Sequence, residues 1–305
     1  MLETVHPLEA TVLIGTRNRG PQLTVTLEAF EAIRTSRAWE LIVIDNRSTD
    51  NTEAVLRSFA GRQSLPLRYI KEVKPGVCAA RNAGLRAAGG KIVLITDDDC
   101  YPQRDWIDAW LDIFESSPLA WGCGRVELFD LTDLPVTIKT DAFAEDYPPF
   151  GYIPPGKIHS ANCAFRREVL KALGGFDERL GPGSRFYAAD DSDLFQRASD
   201  AGFRGGYRPG PAVAHHHGRK LPELRRLQRD YAFSAGAFYA KTLLRGRGGA
   251  MISYFLNWYH DVHSPVRAMK LIYWSQRKDF RRRNWHVLQG FLRYTAAELF
   301  GRRAR

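Results

Sequence analysis

The chain has 305 residues, 44% of them hydrophobic, and a formal charge of +10. That length and apolar content exclude a disordered chain and suit one large globular domain, or one domain with a sizeable appendage. Four cysteines, Cys78, Cys100, Cys123 and Cys163, stand far apart with no CxxC pair, which argues against a zinc ribbon or disulfide framework and fits a reducing compartment. The first ten residues carry Glu3, His6, Pro7 and Glu9 without a basic start and apolar core, so no signal peptide is expected. No stretch reaches the roughly 18 uninterrupted apolar residues of a spanning helix. The best candidate, residues 251–274, is broken by Asn257, His260, Asp261, His263, Pro265 and Arg267, and a cytoplasmic protein is expected.

In chain order, residues 11–16 form a short apolar run, followed by turn chemistry at 18–21 and a helix-like segment over 23–36. Residues 41–44 read as a second strand ending in Asp45-Asn46-Arg47-Ser48-Thr49-Asp50, with helical spacing over 51–60 and Ser48, Thr49 or Asp50 available as its cap. A third strand is expected over 67–72 and a helix over 76–88, stopped by Gly89-Gly90. The apolar run 92–95 then leads into Asp97-Asp98-Asp99. Strands alternating with helices predict a parallel, doubly wound sheet, in which ligands sit at the carboxyl ends of the strands. Residues 16–19, Asp45 and Asp97 to Asp99 all fall at that edge.

Three adjacent carboxylates repel one another, so a cation is expected among them. Mg²⁺ or Mn²⁺ suits oxygen ligands and leaves positions for water and substrate phosphate; the other reading is an acidic loop capping the helix that follows. A second acidic cluster, Asp190-Asp191-Ser192-Asp193, opens an amphipathic helix ended by Gly202. It reads either as a helix start favoured by the dipole or as the seat of a general base. The glycine-rich approach, residues 174–184, is expected to act as a lid. His215, His216 and His217 follow a strand over 211–214, which places His215 and His217 on one face and His216 on the other. One of them is available to the metal, and solvated imidazoles at a strand end are the other reading. From Arg219 onward arginines alternate with aromatics such as Tyr231, Phe233, Trp258 and Trp285. That pattern fits amphipathic helices on an anionic membrane surface, or a helical subdomain packed on the main domain.

The order of motifs resembles the family 2 glycosyltransferases, which have the GT-A fold. The matching stretches are residues 12–19, 43–50, 74–85 (Lys-Pro-Gly-x-x-Ala-Ala-Arg-Asn-Ala-Gly-Leu), 94–102, 161–170 (Ala-Asn-Cys-Ala-Phe-Arg-Arg-Glu-Val-Leu), 174–177, 190–197 and 209–217. The resemblance implies an α/β fold with a mostly parallel mixed sheet flanked by helices. It further implies a transferase domain over 1–218, with a basic helical region over 219–305 for acceptor or membrane contact. By the same resemblance Asp45 meets the nucleotide base, with Thr16 and Arg19 nearby and Arg81 against base or phosphate. Asp97 and Asp99 are the DxD pair for ribose and metal, with Asp98 between them; Asn162 joins the nucleotide-sugar set, and His215 completes the metal site. Asp191 is the expected catalytic base, with Asp190 beside it as the other candidate. The departures are Gly15 for a common proline, Asn46 for a common second aspartate, and Asp190 for a glutamate.

The function so implied is inverting transfer of a sugar from a nucleoside diphosphate, UDP foremost, to a hydroxyl of a glycan or lipid-linked acceptor at the bacterial surface. A sugar-phosphate nucleotidyltransferase would carry a glycine-rich basic loop after the first strand, which residues 15–20 match poorly. Nucleic-acid binding through the basic region leaves the acidic motifs unexplained, so no nucleic-acid partner is expected.

Overall fold

The computed structural model describes residues 7–249, 251–252 and 277–301. The aromatic stretch 253–276, residues 1–6 and 302–305, and the side chains of 277–281 lie outside the described residues, so the expectation of an interrupted apolar stretch over 251–274 lies almost wholly outside them too. Strands β1 (Ala10–Thr16), β2 (Trp39–Asp45), β3 (Leu67–Lys71) and β4 (Ile92–Asp97) alternate with helices α1 (Gly20–Glu31), α2 (Thr52–Arg62) and α3 (Val77–Ala87). Then follow β5 (Cys100–Pro102), α4 (Trp106–Ser116), β6 (Trp121–Leu128), β7 (Glu145–Tyr147), β8 (Asn162–Arg166), α5 (Arg167–Leu173), α6 (Asp190–Asp200) and β9 (Gly205–His215). After a 3-10 turn (Leu221–Glu223) come two long helices, α7 (Leu224–Leu244) and α8 (Arg277–Gly301).

One sheet runs β3-β2-β1-β4-β8-β6-β9-β5, with β7 on β9. Its first four strands are parallel, as the alternation predicts. Beyond β4 the sheet is mixed: β8 is antiparallel to both β4 and β6, β9 is parallel to β6, and β5 and β7 are antiparallel to β9.

The central strands read as continuous apolar runs because both faces are covered. Alternate residues serve opposite layers. Val12, Ile14, Leu41, Val43 and Leu94 pack with Leu27, Phe30, Phe59 and Trp106, while Leu13, Ile42, Ile44, Val93 and Ile95 pack with Ala80, Leu170 and Phe195. Each such aliphatic side chain contributes about 1.5–3 kcal/mol by leaving water, so neither strand register nor helix placement is free to slip.

The two long helices are fastened to α6 and the segment that leads into it. Phe186, on the loop before α6, packs among Phe233 and Ala237 of α7 and Tyr294 of α8. Lys241 of α7 is buried between Asp177 (2.7 Å) and Asp193 (2.6 Å), and Arg179 reaches Glu298 of α8 (2.7 Å). The helices themselves cross at glycines. A Cβ on Gly236 would lie 1.9 Å from the carbonyl oxygen of Val287, and one on Gly290 would lie 1.8 Å from that of Phe233. Gly290→Ala must therefore push the helices apart, at about 1–3 kcal/mol. Thermal unfolding should show Tm lowered by several degrees; an unchanged Tm would mean the crossing has slack.

Candidate functional site

The site is assembled by strand register. Thr16 pairs with Asp45, and Gly15 pairs with Asp97, so the carboxyl ends of β2, β1 and β4 lie side by side. Asp98 and Asp99 form the turn into β5, whose first residue, Cys100, pairs with His215 at the end of β9. The three polar clusters expected at one sheet edge thus meet there, joined by a histidine from a strand at the opposite side of the sheet.

Asp45 is buried and accepts the amide of Ser48 (2.9 Å). Its neighbour Asn46 donates to the carbonyls of Glu72 and Lys74 (3.1 and 2.6 Å) and accepts from the amide of Gly76 (2.8 Å). An aspartate has no proton for those two carbonyls, which gives a physical reason for asparagine here. The loop so fixed borders a cleft of about 180 Å³ lined by Gly15, Thr16, Arg17, Val77, Pro182 and Gly183.

Asp98 accepts the Thr16 hydroxyl (2.6 Å) and lies 3.5 Å from the Arg19 guanidinium, which donates to Asp99 at 2.6 Å. Burial first, and the adjacent Asp99 charge second, push the Asp98 carboxyl up to about 7. Burial alone would raise Asp99 as well, but the hydrogen bond and charge of His215, with Arg19 and Arg219, hold it below the usual carboxylate range.

His215 Nε2 sits 3.2 Å from Asp99 Oδ1, and its buried Nδ1 has no partner among the described residues. Donor atoms of Asp97, Asp99, Cys100 and His215 all lie within 4.8 Å of one another. Burial raises the Cys100 thiol well above its ordinary value, so it stays neutral at physiological pH. The usable donors are then two carboxylates and an imidazole, a set that fits Mn²⁺ or Mg²⁺ with room for water and phosphate. His217 turns to the same side as His215 but pairs with buried Asp133 (3.6 Å), while His216 contacts Tyr101 (3.0 Å), as the strand alternation predicts.

Arg81 is the link to the second acidic cluster. It is buried on α3, donating to Asp97 at 2.8 Å and to Asp190 at 2.7 Å, with its guanidinium 5.2 Å from the centre of the Phe176 ring. That occupies Asp190 as a counter-ion. Asp191 is more open and accepts the amides of Ser192 (2.6 Å) and Ser160 (3.3 Å). Burial raises its carboxyl, with those amides and Arg81 opposing. Two residues just before the helix hold left-handed conformations, Tyr187 (φ 50°) and Ala189 (φ 69°), each costing about 1–2 kcal/mol, and the Ser234 hydroxyl from α7 secures the carbonyl of Phe186 between them and Arg185. The expected lid is instead anchored along its length. Asn82 bonds the amide and carbonyl of Phe176 (2.8 and 3.0 Å), and the amide of Val77 donates to Pro182 (3.1 Å).

Asn162 is placed differently from expectation. Its side chain is fully buried, accepting both Trp106 and Trp110 indoles (3.0 and 3.1 Å) and donating to the carbonyls of Arg125 and Pro211 (2.8 and 3.0 Å). All four hydrogen-bonding positions are spent inside the protein, so it ties β6, β8, β9 and α4 together in place of the expected donor contact. The sequence reading missed His159, which burial first and the His215 charge second push down to about 4. It lies in an irregular segment without periodicity, so no local pattern marks it.

The architecture is that of the GT-A glycosyltransferases. The fold matches the mannosyltransferase PcManGT of Pyrobaculum calidifontis, whose structure holds GDP-Man and Mn²⁺, with TM-score 0.57 and 21% identity over 96% of this chain and 87% of that one. The sequence profile of Glycosyl transferase family 2 matches residues 11–174, just over half of the chain, and the chain belongs to that family. Glycosyltransferase AglE of Haloferax volcanii is 25% identical over 165 residues, 54% of this chain and 52% of its own length. The O-antigen chain rhamnosyltransferase WbaN of Salmonella anatum is 25% identical over 253 residues, 79% of this chain and 76% of its own. AglE is therefore matched over only about half its length, and the Pasteurella multocida chondroitin synthase over 21%. Membership of that family favours the transferase expectation over the nucleotidyltransferase one. Among the described residues no helix is long and apolar enough to cross a membrane.

The raised Asp98 carboxyl makes a testable link to stability. A carboxyl raised in the folded state favours folding while protonated and disfavours it once ionised, so its contribution is lost as pH climbs from about 4 to about 7. In EDTA, Asp98→Asn should gain stability relative to wild type across that window, by at most about 4 kcal/mol. Denaturant unfolding at a series of pH values measures this, and parallel curves for the two proteins would refute it.

Proposed function

We propose that the chain is an inverting, metal-dependent transferase that moves a sugar from a nucleoside diphosphate to a hydroxyl of a glycan or lipid-linked acceptor. The observation that carries the reading is Arg81, whose single guanidinium spans Asp97 at the metal corner and Asp190 beside the base. That fixed span holds the leaving-group end and the proton-accepting end of one reaction in register.

In this reading the nucleoside occupies the cleft at the ends of β1 and β2, beside Thr16 and Asp45, with Arg19 along its phosphates. Asp97, Asp99 and His215 would hold Mn²⁺ or Mg²⁺, which would supply charge neutralisation for the departing diphosphate. Asp191 takes the proton of the acceptor hydroxyl as its oxygen bonds to the anomeric carbon and the bond from that carbon to phosphate breaks. Its burial-raised carboxyl is a stronger base than an exposed aspartate, and the Ser160 and Ser192 amides hold it in place. Burial raises the Asp190 carboxyl as well, to about 6, but its oxygen is engaged by Arg81, so it is the less available proton acceptor. The GDP-Man of the Pyrobaculum enzyme supports a nucleotide-sugar donor, and the resemblance to an O-antigen rhamnosyltransferase supports a cell-surface polysaccharide or glycolipid product. Residues 1–218 are the transferase domain in this proposal. Residues 219–305 reach the acceptor or an anionic membrane surface, with the protein on the cytoplasmic side.

Calorimetric titration with UDP, GDP and dTDP, each with and without Mn²⁺, should show metal-dependent binding of one of them. Asp99→Ala should remove the metal dependence. Asp191→Asn should lower kcat by about 10²–10⁴-fold while leaving nucleotide affinity within about twofold. A variant turning over at near wild-type rate would overturn the assignment of the base.

A further inference from the structure

Most arginines around the site already have an anion. Arg19 has Asp98 and Asp99, Arg81 has Asp97 and Asp190, and Arg197 has Asp193. Arg219 is different. Its guanidinium donates to the Tyr231 hydroxyl (3.0 Å) and lies 3.5 Å from the Thr137 hydroxyl, and among the described residues no carboxylate pairs with it. Its backbone is fixed as well, the amide donating to His217 Nδ1 (3.0 Å) and the carbonyl accepting from Leu134 (2.9 Å).

The position of this half-buried cation is what gives it meaning. It stands four residues beyond His215, and its amide is bonded to His217, whose ring lies 5.0 Å from that of His215. Tyr231, the residue that orients it, lies one turn before Ser234 on α7, whose hydroxyl holds the carbonyl of Phe186 on the segment leading to Asp190 and Asp191. Arg219 is therefore tied on one side to the strand end that carries His215 and on the other to the helix that supports the start of α6. Withdrawing a guanidinium from water without a counter-ion is costly, and a preorganised cation there suits an anion that arrives with the substrate.

We propose that Arg219 is a diphosphate-binding residue that contacts the phosphate next to the anomeric carbon, with Tyr231 as its positioning residue. This rests on the transferase reading above. The phosphate nearest the sugar is the one that must lie between metal and base, and it gains negative charge as the glycosidic bond breaks. A forked guanidinium matches its oxygens.

The test compares wild type, Arg219→Gln, Arg219→Lys and Tyr231→Phe, titrating in Mn²⁺ the nucleoside diphosphate that wild type binds and the matching monophosphate. Arg219→Gln should weaken the diphosphate about 10–100-fold and the monophosphate less than twofold, with kcat lowered. Arg219→Lys should recover part of both effects, and Tyr231→Phe should show the same selective loss at smaller size. Equal losses for the two nucleotides, or none with kcat unchanged, would overturn the proposal while wild-type binding leaves the transferase reading intact. Failure of wild type to bind any of the three diphosphates would overturn both. If Arg219→Gln does not fold, the Arg219→Lys and Tyr231→Phe pair decides, since selective loss of the diphosphate is not what general destabilisation produces.

Discussion

The buried guanidinium of Arg81 is the constraint on which the site depends. Taken from water, it is met by two carboxylates, and those come from elements far apart in sequence: Asp97 at the end of β4 and Asp190 at the start of α6. Breaking such an arrangement by removing one partner typically costs about 3–5 kcal/mol, because the charge left behind has no solvent. Helix α3, which carries Arg81, is thus held against the sheet by electrostatics as well as by Ala80 and Ala83. Asn82 one residue later fastens the Phe176 segment, whose ring faces the same guanidinium. A short stretch of α3 therefore sets the distance between the two acidic clusters.

Legibility in the sequence follows burial and distance. Strands β1, β2 and β4 are plain because both faces are covered and the residues run apolar without a break. Their polar ends, Thr16, Asp45 and Asp97, stand out against those runs. The other half of the sheet is less readable. β6, β8 and β9 are joined by long irregular segments, and their order depends on contacts such as those of Asn162, which a local pattern cannot express. Asn162 falls in a family motif and for that reason reads as a binding residue, whereas in this chain its side chain meets a packing requirement. His159 and Arg219 carry no local signal at all, since each acquires its significance from the company of His215, a residue of another segment. The choice between Asp190 and Asp191 is similar. Only the direction of Arg81 distinguishes two adjacent aspartates.

The basic, aromatic character of the last third of the chain also has two readings that composition alone leaves open. The described parts of α7 and α8 show that some of it is structural. Phe233 and Tyr294 enclose Phe186, Lys241 neutralises Asp177 and Asp193, and Arg179 holds Tyr294 and Glu298. Asp193 lies only two residues beyond Asp191, so these helices support the end of α6 that carries Asp190 and Asp191. Other members of the pattern face outward, Trp285, Leu292 and Phe300 among them.

The glycine crossing between α7 and α8 divides the two helices into parts with different evolutionary freedom. Where backbone meets backbone, at Gly236 and Gly290, there is no space for a side chain, and inward residues such as Phe233 and Tyr294 are committed to the loop before α6. The outward faces answer to neither demand. Substitution there leaves the packing beneath it untouched, so the outward surface is mechanically uncoupled from the site.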